Sequence, residues 1–231
     1  MNDNSLRGPQ WQRLVGDFFV PRLGGTHAQW SDANQQVLDA FFERMIARWQ
    51  AWDEASDDYV RTCEEFDLDW LSSMCSRVGV AAPSDVAEQA RLVKEASAYI
   101  EPQVRATFPG VVGALHALAR DYVLYMASTA SSWELEHRLG AMGVRGLFTQ
   151  LYGPDLVNVP KTGRRYYERV FEHACVDPAT ALVVDDKAEF LDHAASLGAH
   201  TVLVTGLDSS PRRRRVSALS QLPSLLESQA E

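Results

Sequence analysis

The sequence predicts an α/β protein: a parallel-sheet core with helices on both faces, interrupted by an inserted all-helical block. Three observations carry this reading. After Pro109, short apolar runs alternate with amphipathic stretches, the pattern of strands buried on both sides by crossover helices. From Ser31 to about Tyr99 the apolar residues instead recur at helical spacing. The charge divides along the same lines, since residues 31–107 carry 15 acids and 7 bases while the rest carries 16 and 15. A near-neutral core, residues 1–30 and 108–231, with an acidic helical cap, residues 31–107, accounts for all three.

The elements follow in order. Leu14 to Val20 is a short apolar run holding one acid, Asp17, and closed by Pro21 and Gly24-Gly25; it reads as a buried strand entering a loop. A carboxylate at the end of such a strand is costly unless it is paired, metal-bound or used. A hydrogen-bonded structural Asp fits these residues equally well. Val37, Leu38, Phe41, Phe42, Met45, Ile46, Trp49 and Trp52 then mark one face of a helix. Ser56 or Asp57 caps a second helix, with Tyr59, Val60, Cys63, Phe66, Trp70, Leu71 and Met74 on its inner stripe, and Pro83-Ser84-Asp85 opens a third. Trp49, Trp52 and Trp70 fit bundle core better than a substrate pocket.

Beyond Pro109-Gly110 the expected order is helix Val111–Arg120, strand Tyr122–Ala127, helix Ser132–Met142 and a loop through Gly153-Pro154. Helix Gly163–Ala174, strand Ala181–Val184, helix Glu189–Leu197, strand Thr201–Val204 and a last helix, Val216–Leu226, complete it.

Composition narrows the function. The 231 residues carry a net charge of −9, which argues against an electrostatic grip on nucleic acid or an anionic membrane. Arg212–Arg215 is a basic run, but one such run on an acidic chain reads as a solvated helix lead-in. Cys63, Cys75 and Cys175 have neither disulfide nor zinc-site spacing, and the six histidines have no ligand spacing. His27 is the one to watch, because it follows Asp17 closely. The start lacks a signal-peptide apolar core, and no apolar run has the length of a bilayer span. The expectation is a cytoplasmic protein with a small-molecule partner.

Sites in open α/β sheets lie at the carboxyl ends of the strands. There the sequence places Asp17, then Ser128-Thr129, then Asp185-Asp186, with Lys161 in the loop NVPKTG. Such a set suits nucleophilic displacement: a carboxylate attacks, hydroxyl and ammonium hold negative oxygens, and a carboxylate pair holds a hard cation such as Mg²⁺. Each group also has an ordinary role. Ser128 and Thr129 can cap a helix, Lys161 can be a surface lysine, and Asp185-Asp186 can be a turn.

In this order the segments FPGVVGALHALA, MASTASS, PKTGRRYYERVFEHACVDPATALVVDD and DHAASLGAHTVLVT resemble the haloacid dehalogenase-like hydrolase superfamily. The resemblance implies a Rossmann-like core with an inserted mobile cap that closes over the rim and selects the substrate. It implies Asp17 as nucleophile, Ser128 or Thr129 and Lys161 as phosphoryl binders, and Mg²⁺ held by Asp17, the Phe19 backbone carbonyl, Asp185 and Asp186. The first motif departs from the pattern: Asp17-Phe18-Phe19 is followed by Val20-Pro21, without Gly-Thr, and Phe19 replaces the second Asp. Phe19 cannot transfer a proton, and losing a general acid typically costs about 10²–10⁴-fold. Phe190 also stands near a place where Asp or Asn is common, with Glu189 and Asp192 beside it.

The activity implied first is a Mg²⁺-dependent phosphatase acting on a small phosphorylated metabolite. A dehalogenase or phosphonate-type hydrolase fits Phe19, because a departing halide needs no proton. A non-catalytic relative with a binding or assembly role is the third reading.

Overall fold

The computed structural model describes residues 3–55, 57–205 and 214–228. They form two compact units, one within residues 3–107 and one within residues 108–228. The helical unit thus takes in residues 3–30, which the sequence reading placed with the α/β part. Ser56, Arg212 and Arg213 lie outside the described residues.

The helical unit has four long helices: α1 (Asn4–Leu23), α2 (His27–Gln50), α3 (Tyr59–Val78) and α4 (Val86–Ile100). The expected strand at Leu14–Val20 is the second half of α1. The reason lies in spacing. Leu14, Val15, Phe18 and Phe19 are each at most 1% exposed, and pairs of apolar residues three and four apart fall on one helical face. Asp17, between the pairs, points to a less buried side. Pro21 sits in the last turn rather than before it, and Gly24, at φ 82°, ends the helix by donating its N–H to the Val20 carbonyl at 3.0 Å. Thr26 and Gln29 form a capping box that starts α2. Asp58, one residue after the expected caps, starts α3 by accepting from the Arg61 N–H.

The core of this unit is a single cluster. Phe19 stacks on Trp30 with centroids 4.7 Å apart, and the Trp30 Nε1 donates to the Gly24 carbonyl at 2.8 Å. Trp70 Nε1 donates to the buried Asn34 side chain, and Trp49 stacks on Tyr59. Trp49 and Trp70 are buried packing residues, as their spacing suggests.

The α/β unit runs α5 (Val111–Asp121), β1 (Leu124–Ala127), α6 (Ser132–Ala141), β2 (Phe148–Tyr152), α7 (Pro154–Val157), α8 (Arg164–Ala174), β3 (Leu182–Asp185), α9 (Ala188–Ala195), β4 (His200–Val204), β5 (Arg215–Val216) and α10 (Leu222–Glu227). Strand β2 replaces part of an expected loop: Thr149 and Gln150 interrupt its apolar pattern. The expected last helix, Val216–Leu226, divides into β5 and the shorter α10, with Pro223 in the first turn of the latter.

All pairings are parallel, but they build two sheets: β1 with β2, and β3, β4 and β5 in that order. Helices cover both faces. Tyr125 and Ala127 of β1 and Val183 of β3 pack into one cluster with α8 and α9. Leu124 of β1 and Leu182 and Val184 of β3 pack into another with Leu118 of α5 and Leu222 of α10. Among the described residues the two sheets therefore share both layers without sharing a backbone hydrogen bond.

Candidate functional site

The α/β unit brings five of the expected residues, Ser128, Thr129, Lys161, Asp185 and Asp186, to one rim. Lys161, only 5% exposed, follows α7 and reaches back between the two sheets. Its Nζ donates to the Ala127 carbonyl at the end of β1 (3.1 Å) and to Asp185 Oδ2 at the end of β3 (2.7 Å). The ring of Phe190 lies 4.9 Å from the ammonium and shields it. A lysine this buried needs a counter-charge, and Asp185 supplies it. The other Asp185 oxygen accepts from the Lys187 N–H at 2.9 Å.

Ser128 continues β1, donating its N–H to the Tyr152 carbonyl. Its Oγ accepts from the Ala130 N–H at 3.1 Å, so it shapes the turn into α6. Thr129 is exposed beside it, and Asp186 is exposed beside Asp185. The capping box of α6 belongs to Ser131 and Glu134 rather than to Ser128 or Thr129. That frees the two hydroxyl residues from the ordinary role foreseen for them.

Asp17 and Phe19 are not at a strand end. Asp17 lies on α1 in the helical unit, within 2.7 Å of Arg13 Nη1 and 3.3 Å of His27 Nε2. Its strand placement was the ground for making it a nucleophile, and the helix removes that ground. Phe19 is buried inside α1, where a backbone carbonyl is engaged by the helix itself. Nor does the donor set suit Mg²⁺: among the described residues no three His, Cys, Asp or Glu side chains gather to hold an ion. Asp185 already has one oxygen on an ammonium and the other on a backbone N–H.

Sequence reasoning missed three residues at this rim. Asp155, after β2, accepts from the Ser132 N–H at 2.7 Å and also bonds the Ser132 hydroxyl, tying the loop after β2 to the start of α6. The signal was Gly153: a Cβ there would collide with Asp155 and the Ser131–Ser132 backbone, so the Gly-Pro-Asp turn admits only glycine at its head. Tyr166 donates its hydroxyl to the Tyr152 carbonyl at 2.6 Å, and the Tyr167 hydroxyl is buried with no hydrogen-bond partner among the described residues. Burial pushes both phenols well above their ordinary range, so they are neutral donors.

The α/β unit thus carries a buried lysine and a carboxylate at its strand ends and is coded after a separate helical unit. The model of the haloacid dehalogenase-like hydrolase family matches residues 33–204, and the chain belongs to that family. Ser128, Thr129, Lys161, Asp185 and Asp186 fall inside the match, and Asp17 and Phe19 fall outside it.

Solved structures agree on the fold. One is a defluorinating L-2-haloacid dehalogenase, at 16% identity and TM-score 0.64 over 96% of this chain and 89% of that one. A 2-haloacid dehalogenase from Pseudomonas syringae pv. Tomato gives 18% and 0.62 over 99% and 94%. The L-2-haloacid dehalogenase of Xanthobacter autotrophicus, with chloropropionic acid covalently bound, gives 17% and 0.56 over 94% and 93%. No curated protein matches the sequence. Among the described residues, no helix is long and apolar enough to cross a membrane.

Proposed function

We propose that this hydrolase is of the dehalogenase type, with a rim that binds a small 2-haloacid through its carboxylate. The observation that carries this is Lys161: a buried, Asp185-held ammonium bonded to the Ala127 carbonyl, immediately before Ser128 and Thr129 in the chain, is read as an anion site that needs no metal. Metal-free displacement suits a donor set that gathers no cation. The structural neighbours whose names specify 2-haloacids support the same choice over a phosphatase.

In the reaction a carboxylate oxygen attacks the halogen-bearing carbon, the carbon–halogen bond breaks, and halide leaves with the electron pair. Water then cleaves the ester and returns the carboxylate, releasing a hydroxy acid and a proton. Lys161 holds the substrate carboxylate, Ser128 and Thr129 orient it, and Asp185 positions Lys161.

Calorimetric titration with 2-chloropropionate and with inorganic phosphate, each with and without Mg²⁺, tests the proposal. The expected outcome is metal-independent binding of the haloacid, weakened about 10-fold or more in Lys161→Met, the scale of one charge-assisted hydrogen bond. Phosphate binding that requires Mg²⁺, with no haloacid binding, would restore the phosphatase reading and overturn this one.

A further inference from the structure

The helical unit has a cavity made by α2 and α3 alone. It is an open groove of about 460 Å³, within the size range of small-molecule sites. Gln36 and Arg44 line it from α2, and Ser72, Ser73, Ser76 and Arg77 from α3. Residues 2–107 carry 17 acids against 10 bases, yet the groove is lined by two guanidiniums and, among the described residues, by no carboxylate. A local reversal of sign of this kind concentrates anions.

The two arginines stand at opposite ends of the groove. Arg77 donates to Gln36 Oε1 at 2.7 Å, and Gln36 and Arg44 lie eight residues apart on α2, about 12 Å along its axis. Neither guanidinium is committed to the fold. Arg77 has a neutral amide as its partner and, among the described residues, no carboxylate. Arg44 donates its Nε to the Ala40 carbonyl and its Nη2 to Asp69, in a pair whose side chains are 52% and 43% exposed. Pairs this exposed are weak and give way to a better anion. Between the arginines lie three serines whose hydroxyls form no hydrogen bond among the described residues. Three serines within five positions lower the helix propensity of α3, and Ser72 and Ser76 are exposed, so packing does not account for them.

We infer that this groove binds a small molecule with an oxyanion at each end and hydroxyl groups between them. A guanidinium fork meets the oxygens of a phosphate or a carboxylate two at a time. The serine hydroxyls both donate and accept, which suits a hydroxylated middle. The inference uses no residue of the Lys161 rim, so it goes beyond the dehalogenase reading and does not depend on it.

Titration of the full chain, followed residue by residue through its amide NMR signals, tests it. The probes are fructose 1,6-bisphosphate, fructose 6-phosphate and glucarate, a hydroxylated dicarboxylate. The bisphosphate is expected to move the amides of residues 36–44 and 72–77. It is also expected to bind about 10-fold or more tightly than the monophosphate, the scale of one additional charge-assisted contact. Arg44→Met and Arg77→Met each bring it down to the monophosphate level. Arg13→Met, which removes an arginine of α1 outside the groove, leaves its affinity unchanged.

Glucarate binding in place of the bisphosphate, with the same dependence on both arginines, also supports the inference and makes the ends carboxylates. Three results overturn it: no saturable shift with any probe at millimolar concentration, equal affinity for bisphosphate and monophosphate, or an equal loss in Arg13→Met. Shifts confined to residues 127–129, 161 and 185–187 would place the binding at the rim and overturn it as well.

Discussion

The two units solve the same burial problem to different degrees. In the helical unit, Leu14, Val15, Phe18, Phe19, Trp30, Leu71, Met74 and Ile100 are all at most 1% exposed and form one cluster. Each α-helix satisfies its own backbone, so packing four of them needs nothing but matched apolar faces. In the α/β unit the apolar residues fall into three clusters, and strands β1 and β3 are only partly buried along their whole length. A strand depends on a neighbour for its hydrogen bonds, and among the described residues β1 and β3 each have one side without one. The unit with the candidate chemistry is thus the one whose architecture is open. The acidity divides likewise: residues 2–107 carry 17 acids and 10 bases, the remainder 14 and 12.

Core truncation is the harshest way to break this contrast. Trp30→Ala removes a fully buried ring stacked on Phe19 and is expected to cost about 3–5 kcal/mol. Denaturant unfolding followed by exchange on each unit checks it: helical-unit amides lose protection while those of β4 keep theirs. Equal loss in both units would mean that the two unfold as one.

At the rim, Lys161→Met leaves Asp185 with a half-buried charge and no ammonium. The expected loss is about 3 kcal/mol, the low end for a broken buried pair, because the Lys187 N–H still serves one oxygen. A Lys161→Met/Asp185→Asn double variant, which removes the stranded charge, recovers part of it. If the double variant is no more stable than the single, the pair is not what holds the two strand ends. Gly153→Ala is milder, about 1–3 kcal/mol in thermal unfolding, since its methyl group must push Asp155 or the start of α6 aside.

The same contrast explains what the sequence made legible. The helices of 31–107 were readable because helical periodicity is local, and so were the apolar runs that became β1, β3 and β4. Lys161 and Asp185 were readable from their order along the alternating chain. Asp17 was not, because the pairs Leu14-Val15 and Phe18-Phe19 look like a strand when only their continuity is weighed and like a helix face when their spacing is. Strand β2 was hidden by Thr149 and Gln150. The division of the sheet was hidden for a deeper reason: pairing is a relation between distant segments, and no local pattern reports the absence of a partner. The helical unit met its expectations best where interactions run within one turn or one face.

The smallest expected effect belongs to one such local interaction, the bidentate pair of Arg48 with Asp57 at 2.9 and 2.6 Å. The Arg48 side-chain bonds, helped by the Asp53 N–H, hold the Asp57 carboxyl down to about 2 from an ordinary 3.8. A depressed folded-state pKa contributes stability that is complete above the unfolded value and lost as pH falls through the folded one. The pair therefore stabilises the α2–α3 connection at neutral pH and fades between about pH 4 and pH 2. Asp57→Asn should flatten the helical unit's unfolding midpoint across that window while leaving the exchange of β4 amides unchanged. If wild type and variant lose stability in parallel from pH 5 to pH 2, the acid sensitivity resides in other carboxylates, and this pair adds nothing to the helical unit's advantage.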